Sequence, residues 1–373
     1  MLIFGTRPEI IKLYPLIIAM KSDPDLAPII CSTGQHRELI LPMLKLFEIK
    51  PDLNLNLMAQ EPNLSALTSI AIDKIARKIK LLSPDLTIVH GDTATTLAAA
   101  IASYQNKTPI AHVEAGLRTN NILSPWPEEG NRRMVSAISS LHFAPTLTNF
   151  NNLIAEGISR KKCFVTGNTV IDAVQHMYNK ITTDVNLKKN LSIKFNFINT
   201  KLHLILITVH RRENFGSYIK EICNAIKELA FARSDCEFVY PVHLNPNIVN
   251  PVRQILSNIK NVHLINPVNY EEFVFLMGRS YFIITDSGGI QEEGSALSKP
   301  ILLLRENTER PEAVEAGSVK LVGTKRSNIV KQVVRLLDDT NKVLEMTSKK
   351  SPFGDGTASQ SILIHLKNFM RAL

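Results

Sequence analysis

Between His112 and Arg132 the chain gathers the carboxylates Glu114, Glu128 and Glu129, the arginines Arg118 and Arg132, a histidine and its only tryptophan. This stretch follows Pro109–Val113, an apolar run that reads as a buried strand. A loop beside such a strand has no packing need for so many ionisable groups, and charges placed where a parallel strand ends are usually set for a ligand. Asp92 stands in the same kind of place, after the run Leu86–His90. Taken singly, Asp92, Glu114 or Glu128 could cap a helix. Three acids at ligand-facing ends of one domain fit general acid/base chemistry better.

Other strand ends present groups suited to an anion. Gly5-Thr6-Arg7-Pro8-Glu9, with Lys12 a helical turn beyond Pro8, offers a glycine turn, a helix start and two cations, which suits a phosphate. On this motif alone a plain strand-to-helix turn with solvated charges is an equal reading. His210-Arg211-Arg212-Glu213-Asn214 follows another apolar run and reads as an anion contact. Thr285-Asp286-Ser287-Gly288-Gly289 leads into a helix holding Glu292 and Glu293, a small-residue opening through which backbone amides reach a diphosphate. A helix beginning Thr308-Glu309-Arg310-Pro311 adds a cation, and His243, with Asn245 and Asn247, reads as a second polar contact or a capped turn, with the turn the safer reading.

The elements that must position these groups alternate along the chain. Strands are expected at Leu2–Phe4, Ala27–Ser32, Leu86–His90, Pro109–Val113, His142–Ala144 and Cys163–Thr166, with helical patterns at Glu9–Met20, Ser65–Leu82 and Thr93–Tyr104. Asn179–Lys201 reads as a helix end plus an interdomain excursion. The pattern restarts with strands Leu202–Val209, Glu237–Pro241, Val262–Ile265, Tyr281–Thr285, Pro300–Leu304 and Val319–Val322, and helices Ser217–Phe231 and Gly289–Leu297. Two βα arrays predict an α/β protein of two Rossmann-like, doubly wound parallel-sheet domains. The expected division is 1–168 and 169–356, with an amphipathic C-terminal helix at 357–373 crossing back onto the first domain.

At 373 residues the chain is longer than one core usually supports, in keeping with two domains. A content of 45% hydrophobic and 21% charged residues favours a soluble globular class over disorder. No apolar run approaches the about 20 residues of a membrane span. Arg7 and Glu9 come too early for a signal peptide, so the cytoplasm is the expected address. The net charge of +9 is spread, with no basic run beyond Arg160-Lys161-Lys162, and aromatics are only 6%. That pattern excludes the clustered charge and stacking platforms of nucleic-acid binding and fits small anionic molecules. Cys31, Cys163, Cys223 and Cys236 lack metal-site spacing and read as core thiols, so no metal is expected.

With these motifs in hand, the chain resembles the non-hydrolysing UDP-N-acetylglucosamine 2-epimerases. The resemblance rests on Phe4–Glu9, Gln35–Glu38, His90–Thr93, His112–Arg118, Ser124–Arg132, Gly167–Asp172, His210–Asn214, Tyr240–Asn247, Asp286–Glu293 and Thr308–Pro311, in order from end to end. It implies a GT-B-type pair of domains facing a cleft, a homodimer, and reversible interconversion of UDP-GlcNAc and UDP-ManNAc for surface polysaccharides. No metal or nicotinamide cofactor is implied. Asp92, Glu114, Glu128 and His210 match catalytic positions, and Arg7, Lys12, Arg132, Ser287, Gly288, Gly289, Glu293 and Arg310 match substrate-binding positions. Glu293 fits a ribose hydroxyl better than a base, because a carboxylate beside a diphosphate would repel it. Gln35, His36, Arg211 and His243 match a second, activating UDP-GlcNAc site.

Two departures stand out. In the loop Gln60-Glu61-Pro62-Asn63, Asn63 stands where a glutamine is usual. Family members also enter the first strand earlier, so the expectation is a start slightly upstream of Met1 or a frayed first strand on which Arg7 and Lys12 depend. The rival readings are a glycosyltransferase of the same fold, which would need an acceptor, and a non-catalytic UDP-sugar sensor, which should have lost one of the acids.

Overall fold

A computed structural model describes residues 1–57, 63–211 and 214–372. They form two compact units, Met1–Ala173 with Phe353–Leu373, and Val174–Pro352. Each is a parallel sheet flanked by helices.

The first unit runs β1 (Leu2–Phe4), α1 (Arg7–Lys21), β2 (Ile30–Ser32), α2 (Arg37–Leu46), β3 (Leu53–Asn54), α3 (Leu64–Leu82), β4 (Thr87–His90), α4 (Ala94–Gln105) and β5 (Ile110–Val113). It continues with α5 (Glu128–Ile138), β6 (Leu141–Ala144), α6 (Leu147–Ala155), β7 (Cys163–Val165) and the start of α7 (Thr169–Thr183). The strand order is β3-β2-β1-β4-β5-β6-β7, all parallel. The order reverses between β1 and β4, the place where open sheets of this kind hold ligands. Every residue of β1, β4, β5 and β6 is buried, as a sheet covered on both faces requires. β1 is as short as expected, yet it is not frayed: it pairs with β2 at three positions and with β4 at Leu2.

The second unit contains α8 (Val185–Lys194), β8 (His203–Thr208), α9 (Ser217–Ala232), β9 (Cys236–Pro241), α10 (Pro246–Leu256), β10 (Val262–Ile265), α11 (Tyr270–Arg279) and β11 (Phe282–Thr285). There follow α12 (Gly288–Ala296), β12 (Ile301–Leu303), α13 (Pro311–Glu315), β13 (Val319–Leu321), α14 (Arg326–Asp338) and α15 (Thr340–Thr347). Its order, β10-β9-β8-β11-β12-β13, repeats the reversal between β8 and β11. Ile205, Ile207, Phe238, Tyr240, Phe282, Ile284 and Leu302 fill its core with α9 and α14. The last helix, α16 (Ala358–Met370), belongs to the first unit. Asp172 accepts the backbone N–H of Ser359 at 2.7 Å and of Ala358 at 3.2 Å, and Lys367 pairs with Asp23.

One expectation is filled in and one needs correcting. Asn179–Lys201 holds the end of a helix, α7, and beyond it a second helix, α8, started by Asp184, which accepts the Leu187 N–H. The helix expected from Thr308 begins only at Pro311, with Arg310 at its cap position. Among the described residues no helix is long and apolar enough to cross a membrane, and no group of three or more His, Cys, Asp or Glu is placed to hold a metal ion.

Candidate active site

In the first unit, the turns after β1, β4 and β5 hold the predicted acids. Glu9 organises the first turn from inside. It is 1% exposed, and its Oε2 accepts the N–H of Gly5 at 3.0 Å and Thr6 at 2.8 Å. The hydroxyls of Thr93 and Thr96 reach its Oε1 at 2.9 and 3.1 Å. Burial pushes the Glu9 carboxyl up, against those hydrogen bonds. With that turn fixed, Arg7 is half-buried in the first turn of α1 and Lys12 projects from the second.

Glu114 stands just beyond β5 with φ +62°, a left-handed conformation that a side-chain-bearing residue seldom adopts and that often marks a functional turn. Lys12 pairs directly with its Oε2, and the Asn168 side-chain amide donates to the same oxygen at 2.9 Å. The turn is locked behind it. Gly116 has φ +87° and an added Cβ would collide with the Asn149 carbonyl, so only glycine fits. Arg118 grips Glu156 with two bonds of 2.7 Å and also reaches Ser136 at 3.0 Å. Arg118, part of the opening cluster, thus holds the loop.

Asp92 does not cap α4: Thr93 does, accepting the Thr96 N–H. Its Oδ2 instead takes the Arg132 guanidinium at 2.8 and 2.7 Å, and its backbone carbonyl accepts the Asn131 amide at 2.7 Å. Burial pushes the Asp92 carboxyl up while Arg132 opposes it. Glu128 opens α5, where the helix start favours negative charge, and its buried Oε2 has no hydrogen-bond partner among the described residues. Its neighbour Glu129, fully buried, is the structural member of the pair: it binds Arg132 at 3.1 Å and accepts the Thr119 N–H at 3.1 Å. The lone tryptophan, Trp126, is exposed.

Sequence reasoning counted His112 in its leading cluster and His90 in a motif, but assigned no role to either of these histidines beneath the turns. His90 ends β4 and His112 lies in β5, with its Nε2 2.8 Å from the Gly91 carbonyl. Burial holds both down to about 4, so both are neutral at ordinary pH. Their place on apolar strands gave them the look of packing residues, and only their position beside Asp92 and Glu114 marked them.

In the second unit the predicted residues gather around Asp286, which is fully buried just after β11. Its Oδ2 accepts the N–H of His210 at 3.0 Å, the N–H of Arg211 at 2.9 Å and the Asn214 amide at 2.9 Å, and the His210 ring lies 3.3 Å from Oδ1. One carboxylate therefore sets both the backbone and the ring of His210. Burial lowers the His210 pKa, opposed by Asp286. Arg212 and Glu213, in the same motif, lie outside the described residues, as do Gln60, Glu61 and Pro62.

Two arginines meet over the start of α12. Arg310 donates to Glu292 at 2.7 Å, and Arg211 to Glu309 at 3.1 Å. A Cβ on Gly288 would lie 2.6 Å from Arg310 Nη1 and 3.5 Å from Arg211 Nη2, so this glycine lets both guanidinia approach the helix amides. Against the burial that raises it, Arg211, Arg310 and Arg305 hold Glu309 down to about 2. Ser287 occupies the cap position without using its side chain to cap, Gly289 has open space around it, and Glu293 is half-buried one turn on. Backbone amides, a helix start and two guanidinia together form a site for a multiply charged anion.

The remaining predicted positions are placed within their own units. In the first, Gln35 accepts the Thr95 hydroxyl at 2.8 Å and His36 is exposed at the start of α2. In the second, the His243 Nδ1 accepts the Asn245 N–H at 3.1 Å, the capped turn expected, and its ring lies 6.2 Å from that of His210.

Residues 18–367 match the family model described as UDP-N-acetylglucosamine 2-epimerase. This chain belongs to the UDP-N-acetylglucosamine 2-epimerase family. That membership makes it an isomerase and sets aside the glycosyltransferase and sensor readings. It is 48% identical over 366 residues to the UDP-N-acetylglucosamine 2-epimerase of Campylobacter jejuni, covering 97% of this chain and 96% of that one. It is 46% identical to the enzyme of Escherichia coli K12, covering 98% and 97%. The crystal structure of the Neisseria meningitidis UDP-GlcNAc 2-epimerase bound to UDP-GlcNAc aligns with a TM-score of 0.92 and 46% identity, over 98% of this chain and 99% of that one.

Proposed function

We propose that this epimerase interconverts UDP-GlcNAc and UDP-ManNAc by eliminating UDP to give 2-acetamidoglucal and then adding it back. The C2 proton has no carbonyl beside it on the ring, so direct removal is very hard. Breaking the C1–O bond first, or nearly so, makes C1 oxocarbenium-like and acidifies C2–H. The C2–H pair then forms the C1=C2 double bond, the C1–O pair leaves with UDP, and a carboxylate takes the proton. Readdition of UDP, with protonation of C2 from the opposite face, completes the inversion.

What carries this reading is Glu114, held beyond a buried strand by Lys12 and Asn168 in a family of UDP-sugar epimerases. Asp92 and Glu128 complete the acid/base set and Arg132 holds Asp92. Lys12 supplies positive charge beside Glu114, and Arg7, in the first turn of the same helix, is assigned with it to the UDP-sugar. In the second unit Ser287, Gly288, Gly289 and the guanidinium of Arg310 are assigned to the diphosphate, His210 to the departing UDP and Glu293 to a ribose hydroxyl. The same reading makes the protein a cytoplasmic homodimer whose UDP-ManNAc serves surface polysaccharide synthesis.

Separation of nucleotide sugars after incubation with either substrate should give the same mixture from both sides. With oxygen-18 in the C1–O–P bridge, elimination predicts movement of label into the non-bridging phosphate positions. An equilibrium mixture without that scrambling would contradict the elimination. Gln35, His36, Arg211 and His243 are assigned to a second, activating UDP-GlcNAc site. A sigmoidal rate curve that becomes hyperbolic in Gln35→Ala supports this, and hyperbolic kinetics in the unaltered protein contradict it.

A further inference from the structure

The second unit carries a cavity that the proposed reaction does not use. It is open to solvent, holds about 540 Å³, and is bounded by α13, β13, α14 and α15. Its place in the sheet separates it from the anion site at α12. Ser287 follows β11 and Arg310 follows β12, at the carboxyl ends of the strands, where open sheets hold ligands. Glu315, Ala316 and Gly317 line the cavity from the opposite end, because they precede β13. The buried Val319 and Leu336, with the half-buried Met346, give it an apolar base.

Charge gathers around that base. Lys320 on β13, Arg335 on α14, Lys342 on α15 and Lys349 just beyond it line the cavity, against the two carboxylates Glu315 and Glu345. Glu345 pairs with Lys342 at 2.7 Å, and Lys349 and Arg335 draw on the same carboxylate. Lys349 also reaches the turn before β13, its Cε lying 3.6 Å from where a Cβ on Gly317 would stand. Lys320 is placed differently. It is half-buried, and burial, with the cations Arg335, Lys331 and Lys342, holds its ammonium below the ordinary 10.5. Like charges gathered on a half-buried strand residue repel one another, and an anion in the cavity offsets that cost. A phosphate monoester matches the excess, since it carries close to two negative charges at neutral pH and takes the fork of an arginine. The volume is that of a small-molecule site, and the apolar base favours a ligand with a body over a bare ion. We propose that this cavity binds a small organic phosphate, with Lys320 and Arg335 on the phosphate and Val319, Leu336 and Met346 against its body. The site stands apart from the assignment of the strand ends to UDP-sugar chemistry.

The probe for the test is 1-naphthyl phosphate, followed by its fluorescence, with the protein saturated in UDP so that the site at α12 is filled. Saturable binding of one probe per chain should persist with UDP present. 1-Naphthol, which has the body without the charge, and inorganic phosphate, which has the charge without the body, should each bind at least about tenfold more weakly. Lys320→Gln combined with Arg335→Gln should weaken the probe by about tenfold or more, while melting temperature, UDP affinity and basal epimerisation stay as in the unaltered protein. If the double variant does not fold, Lys320→Gln alone makes the same comparison, with a loss of at least about threefold. Three results would each overturn the proposal: displacement of the probe by UDP, equal binding of 1-naphthol, or undiminished binding by the folded variant. Failure of UDP itself to bind bears on the proposed function alone, and the variant comparison without UDP then decides this one.

Discussion

The strand ends of the two units use the same kinds of side chain with the signs exchanged. In the first unit, Asp92 and Glu114 sit on the turns and cations from helices, Arg132 and Lys12, are tied to them. In the second, Arg211 and Arg310 gather over α12 while the acids Glu309 and Glu292 hold them, and Asp286 fixes the backbone of the turn bearing His210. Both sheets reverse strand order at the same place. The fold therefore supplies two equivalent positions, and the proposed function assigns proton handling to the one whose turn carries acids and the anion to the one whose turn carries arginines.

The comparison breaks most visibly at Glu114. Glu114→Gln should lower kcat about 10³-fold while leaving UDP affinity within a fewfold of the unaltered protein. Loss of UDP binding, with little effect on turnover, would mean that the first unit also holds the anion. Arg310→Ala is the counterpart. It should weaken UDP by roughly 1.5–3 kcal/mol, about ten- to a hundredfold, as expected for a charge-assisted hydrogen bond, and Arg310→Lys should recover little of the loss. Calorimetric titration with UDP reads both.

Acid should separate the units as well. His90 and His112, held down to about 4, and His142, to about 3, take up protons more readily when unfolded. Their contribution is present above the ordinary histidine value of 6.5 and lost as pH falls through about 4. Glu9 and Asp92, raised by burial, act in the opposite sense, because their cost is relieved as pH falls. In the second unit His210, also lowered by burial, acts in the same sense as those histidines but is partly exposed and opposed by Asp286, while Glu309 contributes stability above its ordinary 4.5 that is lost only as pH falls toward about 2. Hydrogen exchange after brief equilibration at each pH should show the first unit losing protection between pH 6.5 and 4, by an amount on the order of a few kcal/mol. Protection lost first in the second unit would contradict this assignment. The smallest effect is expected at Gly288→Ala, where the added methyl meets the movable end of Arg310 and should weaken UDP about threefold without changing KM-independent proton exchange.

Much of this layout was legible from the chain. The acids and arginines were visible because they interrupt apolar strands at their ends, a local signal. Their partners were not. Lys12 and Glu114 are 102 residues apart, and Arg132 and Asp92 are 40 apart. Adjacent residues also divided in a way that sequence could not foresee: Glu129 is fully buried against Arg132 while Glu128 opens α5. The helix α8 escaped notice because only Leu191 of its residues is buried, so it lacks the apolar stripe that reveals a helix. Asp286 could be seen as part of a glycine motif, but its hold on His210, Arg211 and Asn214 depends on β8 and β11 lying side by side.

The measurement that tests the account most directly is proton NMR of the protein with UDP-GlcNAc in D2O, alongside Glu114→Gln. The account predicts UDP-ManNAc carrying deuterium at C2, with exchange abolished in the variant although UDP still binds. UDP with free sugar, or UDP-ManNAc formed without deuterium, would contradict it.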